Sequence, residues 1–185
     1  MFPRLIPPIA AAALCCASLA AQAEPFTLTS PDIAEGRSLP AGQVLQGFGC
    51  SGGNQSPALQ WQGVPPGTQS LALTVYDPDA PTGSGWWHWV VYNLPANASG
   101  LPAQAGSGQP GLPAGAVQGR TDFGAPGYGG ACPPAGDQPH RYIFTLYALK
   151  VPRIDLPADA SAAMVGFMLH ANTLAQTRLT AIYGR

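Results

Sequence analysis

Charge is what this chain has least of. Its 185 residues include 8 Lys and Arg and 9 Asp and Glu, so charged residues make up 9%, against ~25% in an average soluble protein. No basic run or patch interrupts that scarcity, which argues against nucleic acid as a partner. There is no C-x-x-C pair and no H-E-x-x-H, so neither a metal nor another cofactor is expected. No G-x-S-x-G elbow supplies a hydrolase nucleophile, and no internal repeat is visible. Beyond the N-terminus no apolar run approaches the ~20 residues a bilayer span needs, so stable membrane insertion is not expected.

The N-terminus has a pattern of its own. Arg4 supplies one positive charge, Leu5 to Ala21 are apolar and small, and Ala21-Gln22-Ala23 ends the run with an A-x-A step. That is the three-part pattern of a secretory leader, predicting cleavage of residues 1–23 and a periplasmic or secreted location. A lipoprotein reading of Cys15 and Cys16 is disfavoured by Leu14, which stands where a small residue should precede the first cysteine. Residues 24–185 are the length of a single domain. Losing Arg4 takes the formal charge from −1 to −2. Two cysteines remain, Cys50 and Cys132. An even count in an exported chain suggests one disulfide, with two separate thiols as the alternative.

With 23 Gly and 21 Pro, the chain is full of turns, but these punctuate apolar runs. Phe26 to Ser30 alternates as a strand. Leu71 to Tyr76 (LALTVY) does so strongly, Trp89 to Leu94 (WVVYNL) is apolar on both faces, and Arg141 to Leu149 (RYIFTLYAL) completes a set of three. Residues 95–139 read as a long loop region with a short strand or turn near Val117, a kind of segment that is usually functional or mobile. After Pro157 the spacing of Met164, Phe167, Met168, Ala171, Leu174 and Ala175 predicts one amphipathic helix of about four turns, capped by Asp159 or Ser161. Ala181 to Arg185 would close the chain as a strand. His170, on that helix, reads as a packing or surface residue.

The chemistry concentrates in YDPDAPTGSGWWHWVVYNLP, residues 76–95. Pro78 cannot continue a ladder, so the strand LALTVY ends at Asp77, and the residue before a proline is held extended. Asp79 precedes another Ala-Pro step. His88 enters the next strand behind two tryptophans. A second histidine, His140, opens the strand RYIFTLYAL after the turn Tyr128 to Pro134 (YGGACPP), whose backbone N–H groups can face an anion. If the three strands are neighbours, Asp77, His88 and His140 share one sheet edge.

In order, the blocks DPDAP…WWHWVVYNLP and YGGACPPAGDQPHRYIFTLYAL resemble the phosphatidylethanolamine-binding protein family, most closely its bacterial Raf-kinase-inhibitor-like branch. CSGGNQSPALQWQGVP resembles it too, and the likeness covers nearly all of residues 24–185. It implies a mainly β fold: a large central antiparallel sheet, a smaller sheet packed beside it and a few peripheral helices. It also implies a small pocket for phosphate-like anions. Transferred residue by residue, Asp77 is a pocket wall and acceptor, and Asp79 shapes the rim. His88, His140 and Tyr142 are donors, while Gly130, Cys132 and Pro133 supply the backbone side. Many eukaryotic members have a glycine where Cys132 stands, a longer insert after DPDAP and an extended C-terminal helix, so kinase inhibition does not transfer. A Cys50–Cys132 bond would tie an N-terminal loop to the site rim.

The leading expectation is therefore a binding protein for a small anionic ligand, such as a phosphate-type headgroup or metabolite, possessed of no catalytic residues. A small hydrolase or isomerase using the Asp/His pair is the enzymatic alternative. A protease or kinase inhibitor that docks through residues 95–139 is the regulatory one.

Overall fold

A computed structural model describes residues 24–108 and 111–185; the expected leader lies outside them. Among the described residues ten strands are formed: β1 (Thr27–Thr29), β2 (Gln46–Gly47), β3 (Cys50–Ser51), β4 (Leu59–Gln62), β5 (Ser70–Asp77), β6 (Trp86–Pro95), β7 (Gly100–Leu101), β8 (Val117–Gln118), β9 (His140–Leu149) and β10 (Thr173–Tyr183). The one α-helix among the described residues, α1, spans Ala162–Asn172.

The main sheet has five antiparallel strands in the order β10-β9-β5-β6-β8. Its middle strands are apolar on both faces because both faces are covered. Leu71, Leu73 and Val75 of β5, Trp89 and Val91 of β6, and Phe144 and Leu146 of β9 point to one side. There they meet Leu28, Leu59, Trp61 and Leu101 from a smaller sheet, ordered β1-β4-β7. Ala72 of β5 and Val90 and Tyr92 of β6 point to the other side, under Ala162, Val165 and Leu169 of α1. Large sheet, small sheet and a peripheral helix are the layers expected of the fold.

Residues 95–139 are less bare than their composition suggests. Gly100–Leu101 pairs with β4, and Val117–Gln118 edges β6. Near the C-terminus the structure departs from the expectation in two ways. Ser161 is the N-cap, accepting from the Met164 N–H at 3.1 Å, but the helix ends at Asn172 after about three turns. Leu174 and Ala175 belong instead to β10, which pairs with β9 from Thr173 to Tyr183 rather than starting near Ala181. Ten residues of ladder outweigh one more helical turn, and the β-branched Thr173, Thr177 and Thr180 favour the pleated form. The buried helix face is also different: Val165 and Leu169 are fully buried, whereas Met164 and Phe167 are exposed.

Three strand ends meet at one edge. Asp77 closes β5 opposite Trp86 at the start of β6, and Tyr76 pairs with Ile143 near the start of β9. Beside this edge, the β2–β3 hairpin is joined to the loop before β9 by the Cys50–Cys132 disulfide, across 82 residues of sequence. A loop closed over that length constrains the unfolded chain by about 4–5 kcal/mol. Reduction should therefore shift the urea unfolding midpoint to lower concentration by that free energy. A Cys50→Ser/Cys132→Ser variant should lose the same amount and no longer respond to reductant. An unchanged midpoint after reduction would contradict this role.

Candidate functional site

Asp77 is 2% exposed, so its carboxylate has to be satisfied by the protein. Oδ1 accepts the backbone N–H groups of Asp79 at 2.8 Å and Ala80 at 3.1 Å. This is the turn forced by Pro78, closed by an aspartate on its own following backbone. Oδ2 faces His140 Nδ1 at 2.8 Å. A carboxylate oxygen only accepts, so Nδ1–H donates, and the other ring nitrogen, Nε2, is left outward. Its nearest charged neighbour is Asp137 Oδ2, at 3.6 Å.

His88 is held in the same sense by a different partner. Its Nδ1 lies 2.8 Å from the Gly129 carbonyl oxygen, and the Gly129 N–H donates to the His88 carbonyl at 2.8 Å. The carbonyl can only accept, which again fixes the proton on Nδ1. Burial pushes the His88 pKa below its ordinary 6.5, opposed mainly by the Gly129 carbonyl and then by the Asp77 charge. The neutral ring therefore carries its lone pair on Nε2. His88 was expected as a donor; in its neutral form its free nitrogen is an acceptor.

Tyr142 is 2% exposed, and its Oη has no hydrogen-bond partner among the described residues. Burial pushes its pKa up, so it remains a phenol with a proton to give. Trp86 Nε1 is likewise buried and unpartnered. These residues line one hollow of about 150 Å³ with Asp77, His88 and His140. Leu45, Phe48, Phe123, Cys132, Pro133 and Pro134 share the wall with Ala80, Pro81 and Thr82 of the turn after Asp77, and among the described residues no lysine or arginine lines it. Phe123 packs edge-on against Trp86 and His88, with ring centroids 5.4 Å away in each case. The hollow is well below the ~300 Å³ of a drug-sized site, so it suits a small head group. A larger groove of about 590 Å³ crosses the small sheet, but it is open and contains no titratable side chain. The hollow at the strand ends is the better candidate on chemistry.

Of the residues expected at the site, Asp77, His88, Cys132, Pro133, His140 and Tyr142 line the hollow. Asp79 and Gly130 do not. Asp79 turns to Arg141: Oδ2 accepts from Nε and from the backbone N–H, both at 2.9 Å, and Oδ1 accepts from Nη2 at 2.6 Å. Chiefly through those side-chain bonds, and against some burial, its pKa is lowered to about 2. Gly130 stands behind the wall, where its N–H donates to Asn54 Oδ1 at 2.7 Å. A Cβ there would press on the backbone of Gln43 and Leu45, so its role is close approach. Phe48 and Phe123 were not anticipated as walls. Trp86 had a signal in its position two residues before His88, on the same strand face. Phe48 and Phe123 sit in glycine-rich loops with no periodicity to read.

Residues 29–184 match the family model described as phosphatidylethanolamine-binding protein. UPF0098 protein YbcL of Escherichia coli K12 is 54% identical over 167 residues, covering 90% of this chain and 91% of YbcL. A crystal structure described as E. coli YbcL, a new member of the mammalian PEBP family, aligns with a TM-score of 0.84 at 55% identity. The match covers 86% of this chain and 98% of that one. LppC of Mycobacterium tuberculosis, which carries a lipoprotein name, is 38% identical over 161 residues, covering 87% of this chain and 73% of LppC.

The Asp79–Arg141 pair has a testable acid signature. A carboxyl lowered from 3.8 to about 2 stabilises the fold above the higher value and loses that contribution as pH falls through the lower. Asp79→Asn should lower the thermal midpoint at neutral pH, and its deficit should shrink between about pH 4 and pH 2. A deficit that is the same at both ends of that window would contradict the ionic origin.

Proposed function

This chain belongs to the phosphatidylethanolamine-binding protein family, and we propose that it works as an exported, single-domain binding protein whose hollow receives a small oxyanion. The observation that carries the reading is the pair of buried, unpartnered groups, Tyr142 Oη and Trp86 Nε1, in a hollow that also holds two histidines. A buried polar group without a partner costs roughly 1–3 kcal/mol. Its retention here is explained by a guest that supplies the missing acceptor. The lining is a small set of convergent polar groups in an otherwise apolar wall, the usual make-up of a ligand site.

Export is supported by the Arg4 to Ala23 pattern and by the lipoprotein name of the relative LppC. No helix among the described residues is long and apolar enough to cross a membrane. The Asp77–His140 couple has the composition of an acid/base pair, which keeps turnover of small esters as the enzymatic alternative.

Tyr142→Phe separates the cost of the hydroxyl from its use. Titration calorimetry with inorganic phosphate should show affinity reduced about 5- to 10-fold, the worth of one hydrogen bond of about 1 kcal/mol. Thermal stability should stay level or rise, since the variant removes an unsatisfied group. Unchanged phosphate affinity in Tyr142→Phe would overturn the assignment of Tyr142 to the anion.

A further inference from the structure

The protonation pattern of the hollow says more than that an anion fits. Among the described residues, the fixed charges around the guest position are carboxylates or guanidinium groups already bonded to protein acceptors. Facing His88 are Asp77 from β5, His140 and Tyr142 from β9, and Asp122 from the loop after β8. Asp122 Oδ2 accepts the Trp87 N–H at 2.8 Å. Asp137 stands beyond His140 Nε2. Arg141 forms a forked pair with Asp79, and Arg185, behind the wall, spends its donors on the carbonyls of Pro133, Gly49 and Phe48. With no lysine or arginine in the wall, a guest bearing two negative charges would meet uncompensated carboxylates.

The hydrogen-bond inventory is equally specific. Tyr142 and Trp86 offer donors, whereas His88, latched through Nδ1–H to Gly129, offers an acceptor at Nε2. A guest made only of acceptor oxygens would satisfy the first two and leave the third facing a lone pair. Resting on the oxyanion reading above, we infer that the site is specific for a singly protonated oxyacid. Its phosphate form is a phosphomonoester monoanion, whose P–OH donates to His88 Nε2 while its other oxygens accept from Tyr142 and Trp86. A phosphodiester has the oxygens but no proton to give. It binds only by protonating His88, against the burial that holds that ring neutral. Sites built to pair a ligand hydroxyl reject analogues lacking it because a buried partner is then left unpaired.

Two consequences are measurable on the unmodified protein. At about pH 6.5, methyl phosphate should bind at least tenfold more tightly than dimethyl phosphate in titration calorimetry, tenfold corresponding to about 1.4 kcal/mol. At about pH 8, where methyl phosphate is mostly a dianion in solution, titrations in two buffers of different ionisation heat should show about one proton taken up per ligand bound. Equal or tighter binding of dimethyl phosphate overturns the inference while leaving the oxyanion site standing. So does binding of methyl phosphate at pH 8 with no proton uptake. Failure of both compounds to bind overturns the oxyanion reading itself, and this one with it.

Discussion

A carboxylate buried at the end of a strand is the constraint on which this site depends. Asp77 cannot be hydrated where it lies, so the chain supplies the partners: two N–H groups from its own turn and the imidazole of His140. Removing either kind of partner would leave a buried charge uncompensated, which typically costs several kcal/mol. One acid therefore dictates three things at once. It sets where β5 stops, how the segment from Pro78 turns back toward β6, and which way the first ring of β9 faces. Because Nδ1 of His140 is committed to Asp77, its other edge is available.

The same device recurs at His88, with the Gly129 carbonyl in place of the carboxylate. Both rings are anchored at one nitrogen and open at the other. The wall that holds them is tied together by bonds far apart in sequence. Cys50–Cys132 joins the β2–β3 hairpin to the loop before β9. Arg185 bridges the same two segments, donating from Nε to the Pro133 carbonyl at 2.7 Å and from Nη1 to the Gly49 carbonyl at 2.9 Å. Asn54 ties in the glycine turn through its bond to Gly130. A hollow lined by unpaired polar groups tends to collapse or fill, and cross-links of this kind oppose collapse without occupying the space.

Much of this was legible in the sequence because the relevant signals are local. Alternation and Pro78 located β5 and its end, and the ordered blocks around His88 and His140 placed both rings at one edge. What was not legible depended on choices made between distant residues. The helical spacing runs through Met164 and Phe167, but the sheet took Val165 and Leu169 instead. Leu174 fits a helical period, but pairing with β9 claimed it for β10. Asp79 belongs to the same short motif as Asp77, yet it left the hollow because Arg141 lay within reach on the neighbouring strand. Phe48 and Phe123 became wall residues only once their loops were folded against each other, with ring centroids 6.0 Å apart. The tautomer of His88 depends on a carbonyl 41 residues away.

Both imidazoles carry their proton on Nδ1, which leaves a bare Nε2 on His88 in the hollow. Long-range proton–nitrogen correlation NMR of labelled, ligand-free protein reads this directly at neutral pH. The account predicts that His88 has a protonated Nδ1 and a bare Nε2, and that the His140 Nδ1 proton is shifted far downfield by its bond to Asp77. A His88 ring protonated on Nε2 alone would contradict it, because the Gly129 carbonyl would then face a lone pair and the hollow would present a donor where an acceptor is claimed.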